Sequence, residues 1–181
     1  MSDVLQLFID RIETPIGELL LVADNAGNVR AIDWADYESR MLRLLRLHYG
    51  KDGFRLEPAH NPHGLRTRVD RYFAGEIDQI DEIPVQTAGT VFQRSVWNEL
   101  RKIPCGATVC YRTLAERIAR PKAVRAVGLA NGANPIGIVV PCHRVIGANG
   151  SLTGYGGGLQ RKQWLLDHEC QSFSIHRLPP R

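Results

Sequence analysis

The residues of this chain best placed to do chemistry lie in one stretch, Asn134-Pro135-Ile136-Gly137-Ile138-Val139-Val140-Pro141-Cys142-His143-Arg144-Val145. An apolar, strand-like run between two prolines delivers a cysteine followed at once by histidine and arginine. The thiolate is the nucleophilic form of cysteine, and a nearby imidazole or cation lowers the thiol pKa from its usual value of about 8.5. Cys142 has both kinds of neighbour in sequence. Adjacent side chains on a strand point to opposite faces, so Cys142 and His143 cooperate only if the chain turns here or a water bridges them. Pro141 favours such a departure from regular strand. A carboxylate on His143 would complete a relay in which a third group orients the base, and Glu169 is a candidate. The plain alternative is a buried cysteine acting as a small hydrophobe, the role expected for Cys105, Cys110 and Cys170.

The elements around this stretch can be read from their turn signals and periodicity. Downstream, Gly147-Ala148-Asn149-Gly150 is a turn. Tyr155-Gly156-Gly157-Gly158 either lets a flat ligand approach the backbone or makes a tight connection into a last helix, Leu159 to Glu169, with Trp164 and Leu165 inward. Upstream, Thr90-Val91-Phe92-Gln93 is a capping box before a helix whose Phe92, Val96, Trp97 and Leu100 share a face, ending before Pro104. A short helix, Tyr111 to Ala119, turns Leu114, Ala115 and Ile118 inward. Arg120-Pro121 interrupts it, and Pro121 suits the first position of a new helix through Gly132. Two short helices with a tight break have the pattern of a helix-turn-helix, whose second helix enters a DNA groove, and also of a helical hairpin packing a core. The second helix is rich in small residues (Ala123, Ala126, Gly128, Ala130, Gly132), which let its backbone approach another surface, and Arg125 projects among them.

The first half reads as α+β. Val4 to Ile12, Glu18 to Ala23 and Val29 to Trp34 alternate or are β-branched, separated by Thr14-Pro15-Ile16-Gly17 and Asp24-Asn25-Ala26-Gly27-Asn28, which predicts three antiparallel strands. A helix follows with Met41, Leu44, Leu45 and His48 on one stripe, and a second from Leu65 to Phe73 stops at Gly75. Its histidines (His48, His60, His63) have no cysteine nearby to share a metal, and this half is expected to be scaffold. A linker covers Ile80 to Gly89.

Composition agrees with this division. The chain has 181 residues, 44% of them hydrophobic, and a formal charge of +4. Residues 1–90 carry 10 Lys+Arg against 15 Asp+Glu, net −5, while residues 91–181 carry 13 against 4, net +9. A basic half points to a polyanion, because phosphate neutralisation supplies most nonspecific nucleic-acid affinity, or else to a merely solvated basic surface. No apolar stretch approaches the ~20 residues that span a bilayer, and Met1-Ser2-Asp3-Val4 lacks a basic, apolar signal region, so no membrane association and a cytoplasmic location are expected. Four irregularly spaced cysteines, all in the second half, suit free thiols better than a disulfide framework or paired zinc ligands.

Pro141-Cys142-His143-Arg144-Val145 resembles the active-site motif of the O6-alkylguanine-DNA alkyltransferases, also called methylated-DNA-protein-cysteine methyltransferases. The similarity runs from about Thr90 to Glu169. The first half more loosely resembles the family's ribonuclease H-like partner domain. The resemblance implies an α+β chain of a ribonuclease H-like α/β scaffold (1–88) and a mostly helical, winged-helix-like DNA-binding and catalytic domain (89–170); residues 171–181, beyond the similarity, are expected to be a disordered tail.

It also implies roles. Cys142 would accept the alkyl group, His143 would be the base that reaches it through a water, Glu169 would orient His143, and Asn134 would hold the active-site turn. Tyr111 would flank the flipped base and help protonate the departing guanine. Arg125 would fill the gap left in the duplex, with Ala123, Ala126 and Gly128 close to the minor groove. Val140, Tyr155, Gly156 and Gly157 would border the base. Gly137 and Gly156 leave the size of alkyl group accepted open. Base flipping is required, because the alkylated oxygen of a stacked, paired guanine cannot be attacked in line within a closed pocket. The implied reaction is direct displacement by the thiolate, on O6-alkylguanine in double-stranded DNA and on O4-alkylthymine as a further substrate, by a monomer consumed once per lesion. No cofactor is needed, since the lesion is the alkyl donor, and with no cysteine before Cys105 neither a zinc site nor a cysteine-rich extra domain is expected. The alternatives are a lesion recogniser without chemistry, a non-catalytic helix-turn-helix DNA-binding protein and a Cys-His hydrolase. Cys142 argues against the first and the grouping of cysteine, histidine and glutamate against the second, while the third would need an oxyanion hole and should turn over, which a mass spectrum after exposure to alkylated DNA would reveal.

Overall fold

The computed structural model describes residues 4–176. Its first half is a four-stranded sheet in the order β3-β2-β1-β4, formed by β1 (Leu5–Thr14), β2 (Gly17–Asp24), β3 (Val29–Trp34) and β4 (Phe54–Pro58). β1, β2 and β3 pair antiparallel, as their alternation predicts, while β4, which the sequence did not reveal, runs parallel to β1. The β1–β2 turn closes with Thr14 Oγ1 donating to Gly17 O at 2.6 Å, and Gly17 sits at φ 118°. In the β2–β3 turn, Asp24 Oδ1 accepts the backbone N–H groups of Ala26 and Asn28, both at 2.9 Å. Both turns use the residue types that stabilise them.

β2 is covered on both faces. Leu20 and Val22, with Leu7 and Ala31, bury against Met41 and Leu45 of α1 (Glu38–Tyr49). Leu19, Leu21, Ile12, Ile32 and Trp34 join a second cluster that continues through α2 (Leu65–Phe73) into the other half of the chain. That half contains α3 (Val91–Leu100), β5 (Val109–Cys110), α4 (Tyr111–Arg117), α5 (Val124–Gly132), β6 (Val145–Ile146) and α6 (Leu159–His176). α3 opens with the predicted capping box: Gln93 N donates to Thr90 Oγ1 at 3.1 Å, and Thr90 N to Gln93 Oε1 at 2.9 Å. Trp97 Nε1 donates to Ala130 O at 2.9 Å, tying α3 to α5. None of the helices among the described residues is long and apolar enough to cross a membrane.

Three expectations need correction. Pro121 does not begin a helix: Ala119 lies at φ 56°, Ala123 N donates to Arg120 O at 2.8 Å, and α5 starts at Val124. The left-handed residue and the turn after it consume the positions that Pro121 was to initiate. The run Ile136–Val140 is not a strand. Only Ile136 pairs, by a bridge to Ile32, and the next residues turn, with Ile138 at φ 67°. The last helix passes Glu169 and reaches His176, so 171–176 are helical rather than a disordered tail, while 177–181 lie outside the described residues.

Candidate active site

Asn134 is the reason the apolar run turns. Its Nδ2 donates to Val140 O at 2.7 Å and to Ile136 O at 3.3 Å, and its Oδ1 accepts Ile136 N at 3.0 Å. A side chain that satisfies backbone groups locally competes with sheet pairing. The turn is also strapped to the edge of β3, where Ile32 N donates to Pro135 O and Gly137 N to Ile32 O, each at 3.0 Å. Val140, expected at the base pocket, lies in the core cluster, and its carbonyl accepts Asn134 Nδ2.

Cys142, His143 and Arg144 then form a single 3-10 turn, so they take helical rather than strand spacing. All three are buried, His143 completely. Glu169, on α6 and also fully buried, gathers the donors: its Oε1 accepts His143 Nε2 at 2.8 Å, Arg144 Nη2 at 2.8 Å and the Tyr72 hydroxyl at 2.9 Å, and its Oε2 accepts Arg144 Nε at 2.9 Å. Burial opposes ionisation of Glu169, but the hydrogen bond from His143 and the charge and hydrogen bonds of Arg144 overcome it and hold the carboxyl well below the usual range. Burial pulls the His143 pKa down against the attraction of Glu169, leaving a neutral ring. A neutral ring beside a carboxylate acceptor must carry its proton on Nε2. The lone pair is therefore on Nδ1, which is buried without a protein partner. That is the arrangement of a general base.

The expected depression of the Cys142 pKa is not found. Burial pushes it up, against the Asn134 hydrogen bond and the charges of Lys162 and Arg40. At rest the sulfur is a thiol, and it needs a base to become a nucleophile. Cys105, expected to be a plain small hydrophobe, accepts Arg144 Nη2 at 2.8 Å and donates to Ile77 O at 3.2 Å, with its pKa raised by burial to about 12.

The first half of the chain is more than scaffold. The space beside Cys142 is about 20 Å³, room for one water. Trp34 and Arg40 line it together with Asn131, Tyr155, Gly156 and Gly157. Arg40, paired with Asp33, donates to Gly156 O, and a Cβ on Gly156 would collide with Arg40, or on Gly157 with Trp34. The consecutive glycines thus admit the first half's side chains against the loop backbone. Lys162, fully buried, ties the same loop down, its Nζ donating to Val145 O at 2.6 Å and Thr153 O at 2.8 Å. Tyr111 OH also donates to Thr153 O, at 3.2 Å, and its ring lies over Gly128, where a Cβ would touch it at 3.8 Å. Tyr72, Arg40, Trp34 and Lys162 escaped the sequence reading. Arg144, read there as a cation acting on Cys142, is instead the partner of Glu169.

On α5, Arg125 and Ala126 are exposed and Gly128 is half-buried, as is Ala123 just before the helix. Leu129 is 71% exposed on the same helix. Arg112, Arg117, Arg120 and Lys122 are also exposed, giving the helix pair a basic surface. No group of three or more His, Cys, Asp or Glu side chains among the described residues is placed to hold a metal.

Residues 91–171 match the family model of the 6-O-methylguanine DNA methyltransferase DNA-binding domain. A methylated-DNA–protein-cysteine methyltransferase of Shigella flexneri is 53% identical over 166 residues, 92% of this chain and 97% of that protein. The chain belongs to this methyltransferase family. A Salmonella typhimurium member is 54% identical with the same coverage. The Mycobacterium tuberculosis O6-methylguanine methyltransferase superposes with a TM-score of 0.76 at 37% identity, over 97% of this chain and 96% of that one. A structure of Mycobacterium tuberculosis OGT in complex with DNA gives 0.74 at 37% identity, over 92% and 94%. These likenesses span both halves, as does the mixed α+β architecture of a small sheet with six helices.

Proposed function

We propose that this protein repairs O6-alkylguanine in double-stranded DNA by moving the alkyl group irreversibly to the sulfur of Cys142. The observation that carries this reading is the buried Cys142 beside His143, whose Nε2 is held by Glu169 and whose Nδ1 is left as the free base. His143 takes the thiol proton through a water. The thiolate attacks the alkyl carbon, the sulfur–carbon bond forms as the carbon–O6 bond breaks, and the electron pair left on O6 returns to the purine as guanine takes up a proton, assisted by Tyr111. Guanine is restored and Cys142 becomes a thioether that no nearby base can cleave, so each molecule acts once.

The space beside Cys142 has room for about one water, so part of its lining, which includes Tyr155–Gly157, would have to give way as the flipped base enters. The minor groove would receive α5, with Ala123, Ala126 and Gly128 near the backbone and Arg125 in the vacated stack. O4-alkylthymine is a second substrate on this reading. We place the division of the chain at 88/89, with a ribonuclease H-like unit before it and a winged-helix-like catalytic unit in 89–170, supported by Gly89 at φ 101° and the capping box that follows. The protein would act as a monomer without a cofactor, as the reaction needs no second subunit and the lesion supplies the alkyl group, and we place it in the cytoplasm. Replacing Cys142 with serine tests the assignment: O6-methylguanine duplex should still bind and no methyl should move. Methyl transfer by that variant would refute it.

A further inference from the structure

Tyr72 lies on α2, 97 residues before Glu169 in the chain, and its side chain is completely buried. Its hydroxyl meets the same carboxylate oxygen, Glu169 Oε1, that receives His143 Nε2. We propose that Tyr72 is a positioning residue of the relay: its hydroxyl fixes Oε1 against His143 and shares that oxygen's negative charge, so the first half of the chain sets part of the basicity of His143. This rests on His143 acting as the base in alkyl transfer.

The geometry aims the hydroxyl. The Tyr72 ring is held edge-on by Phe73 and His168, with centroids 5.2 and 5.3 Å away. A buried tyrosine hydroxyl needs a partner, and a backbone carbonyl would serve as well. Here the partner is instead the carboxylate that orients the base. Burial and the charge of Glu169 keep the phenol pKa well above its ordinary value, so Tyr72 donates throughout the working pH range. Each donor on Oε1 draws off charge that would otherwise stabilise an imidazolium. Without the hydroxyl, Glu169 pulls harder on the His143 proton and His143 protonates at a higher pH.

The other groups facing this cluster stay in place when only the hydroxyl is removed. Arg144 and Lys162 are the cations acting on His143, the Tyr155 ring stands edge-on to it at 6.5 Å, and Cys142 adjoins it. Asp81 and Cys105 act around Arg144 and Glu169.

The test is Tyr72→Phe in the full chain, with the His143 titration followed by NMR and the methyl-transfer rate from an O6-methylguanine duplex followed against pH. The proposal predicts that the His143 titration and the acid limb of the rate profile both move up by roughly half to one pH unit. The loss of rate should be several-fold near the acid limb and smallest on the alkaline side. Fluorotyrosine in place of Tyr72, a stronger donor of the same shape, should move the His143 titration the opposite way. In a Glu169→Gln background, Tyr72→Phe should cause no further shift. An unchanged His143 titration in Tyr72→Phe, or shifts of the same sign in both variants, would overturn the proposal. The His143 titration needs no DNA, so it reports on Tyr72 even if wild-type protein fails to transfer methyl groups, a failure that would instead refute the alkyl-transfer reading.

Discussion

Glu169→Gln should cost this protein its fold stability as well as its reaction, because the carboxylate does two jobs. It orients His143, and it is the counter-charge of Arg144, which is 1% exposed. Gln preserves the shape but removes the charge. It also sets either an amide N–H₂ against Arg144 Nε or, flipped, the same group against three donors at the Oε1 position. Removing one partner of a buried ion pair costs about 3–5 kcal/mol, since the other charge stays buried and uncompensated. Against a total stability of about 5–15 kcal/mol for a natural domain, that is a large fraction. His143→Ala leaves the Arg144–Glu169 pair intact and should destabilise much less while abolishing the base. The assay is denaturant unfolding of wild type and both variants, with transfer rates measured in parallel. Because the folded carboxyl pKa lies below its ordinary value of 4.5, the Glu169 contribution is present above that pH and is lost as pH falls through the folded value. The gap between wild type and Glu169→Gln should therefore begin to narrow as pH falls below about 4.5 and go on narrowing toward the folded value. A loss under about 1 kcal/mol at neutral pH, or a gap that widens in acid, would refute the reasoning.

Two further outcomes are expected. Arg125→Ala should strongly reduce repair of duplex lesions while leaving reaction with free O6-benzylguanine and the salt slope of DNA binding nearly unchanged, because a side chain in the vacated stack offsets the cost of flipping and phosphate contacts set the slope; equal losses on both substrates would remove the intercalating role. Without DNA, iodoacetamide should modify half-exposed Cys110 before Cys142, since hydrogen bonding by Thr113 lowers the Cys110 pKa while burial raises that of Cys142. Peptide mapping in which Cys142 reacts first would show a preformed, accessible thiolate.

Local chemistry was legible in the sequence and long-range placement was not. The Thr90–Gln93 cap, both hairpin turns of the sheet, and the Cys142–His143–Glu169 grouping follow from residue type, spacing and the motif's resemblance to a known one. β4 was missed because its alternation, Phe54 and Leu56 against Arg55 and Glu57, is only two apolar residues long, ends at Pro58 and buries no residue fully. The Ile136–Val140 run has the composition of a strand, and only the capture of its carbonyls by Asn134 bends it away. Tyr72 and Arg40 sit on ordinary helices, and nothing in their neighbourhoods signals that their tips reach a carboxylate or a loop carbonyl about a hundred residues away. The thiol state of Cys142 also depends on burial, which sequence adjacency to histidine and arginine cannot supply.

The central claim is irreversible alkyl transfer to one sulfur. Incubating the protein with excess O6-methylguanine duplex and measuring intact mass, followed by peptide mapping, tests it directly. One methyl group per molecule should appear on Cys142 and the reaction should then stop, whereas continued turnover, or methyl found mainly on Cys105, Cys110 or Cys170, would contradict the account.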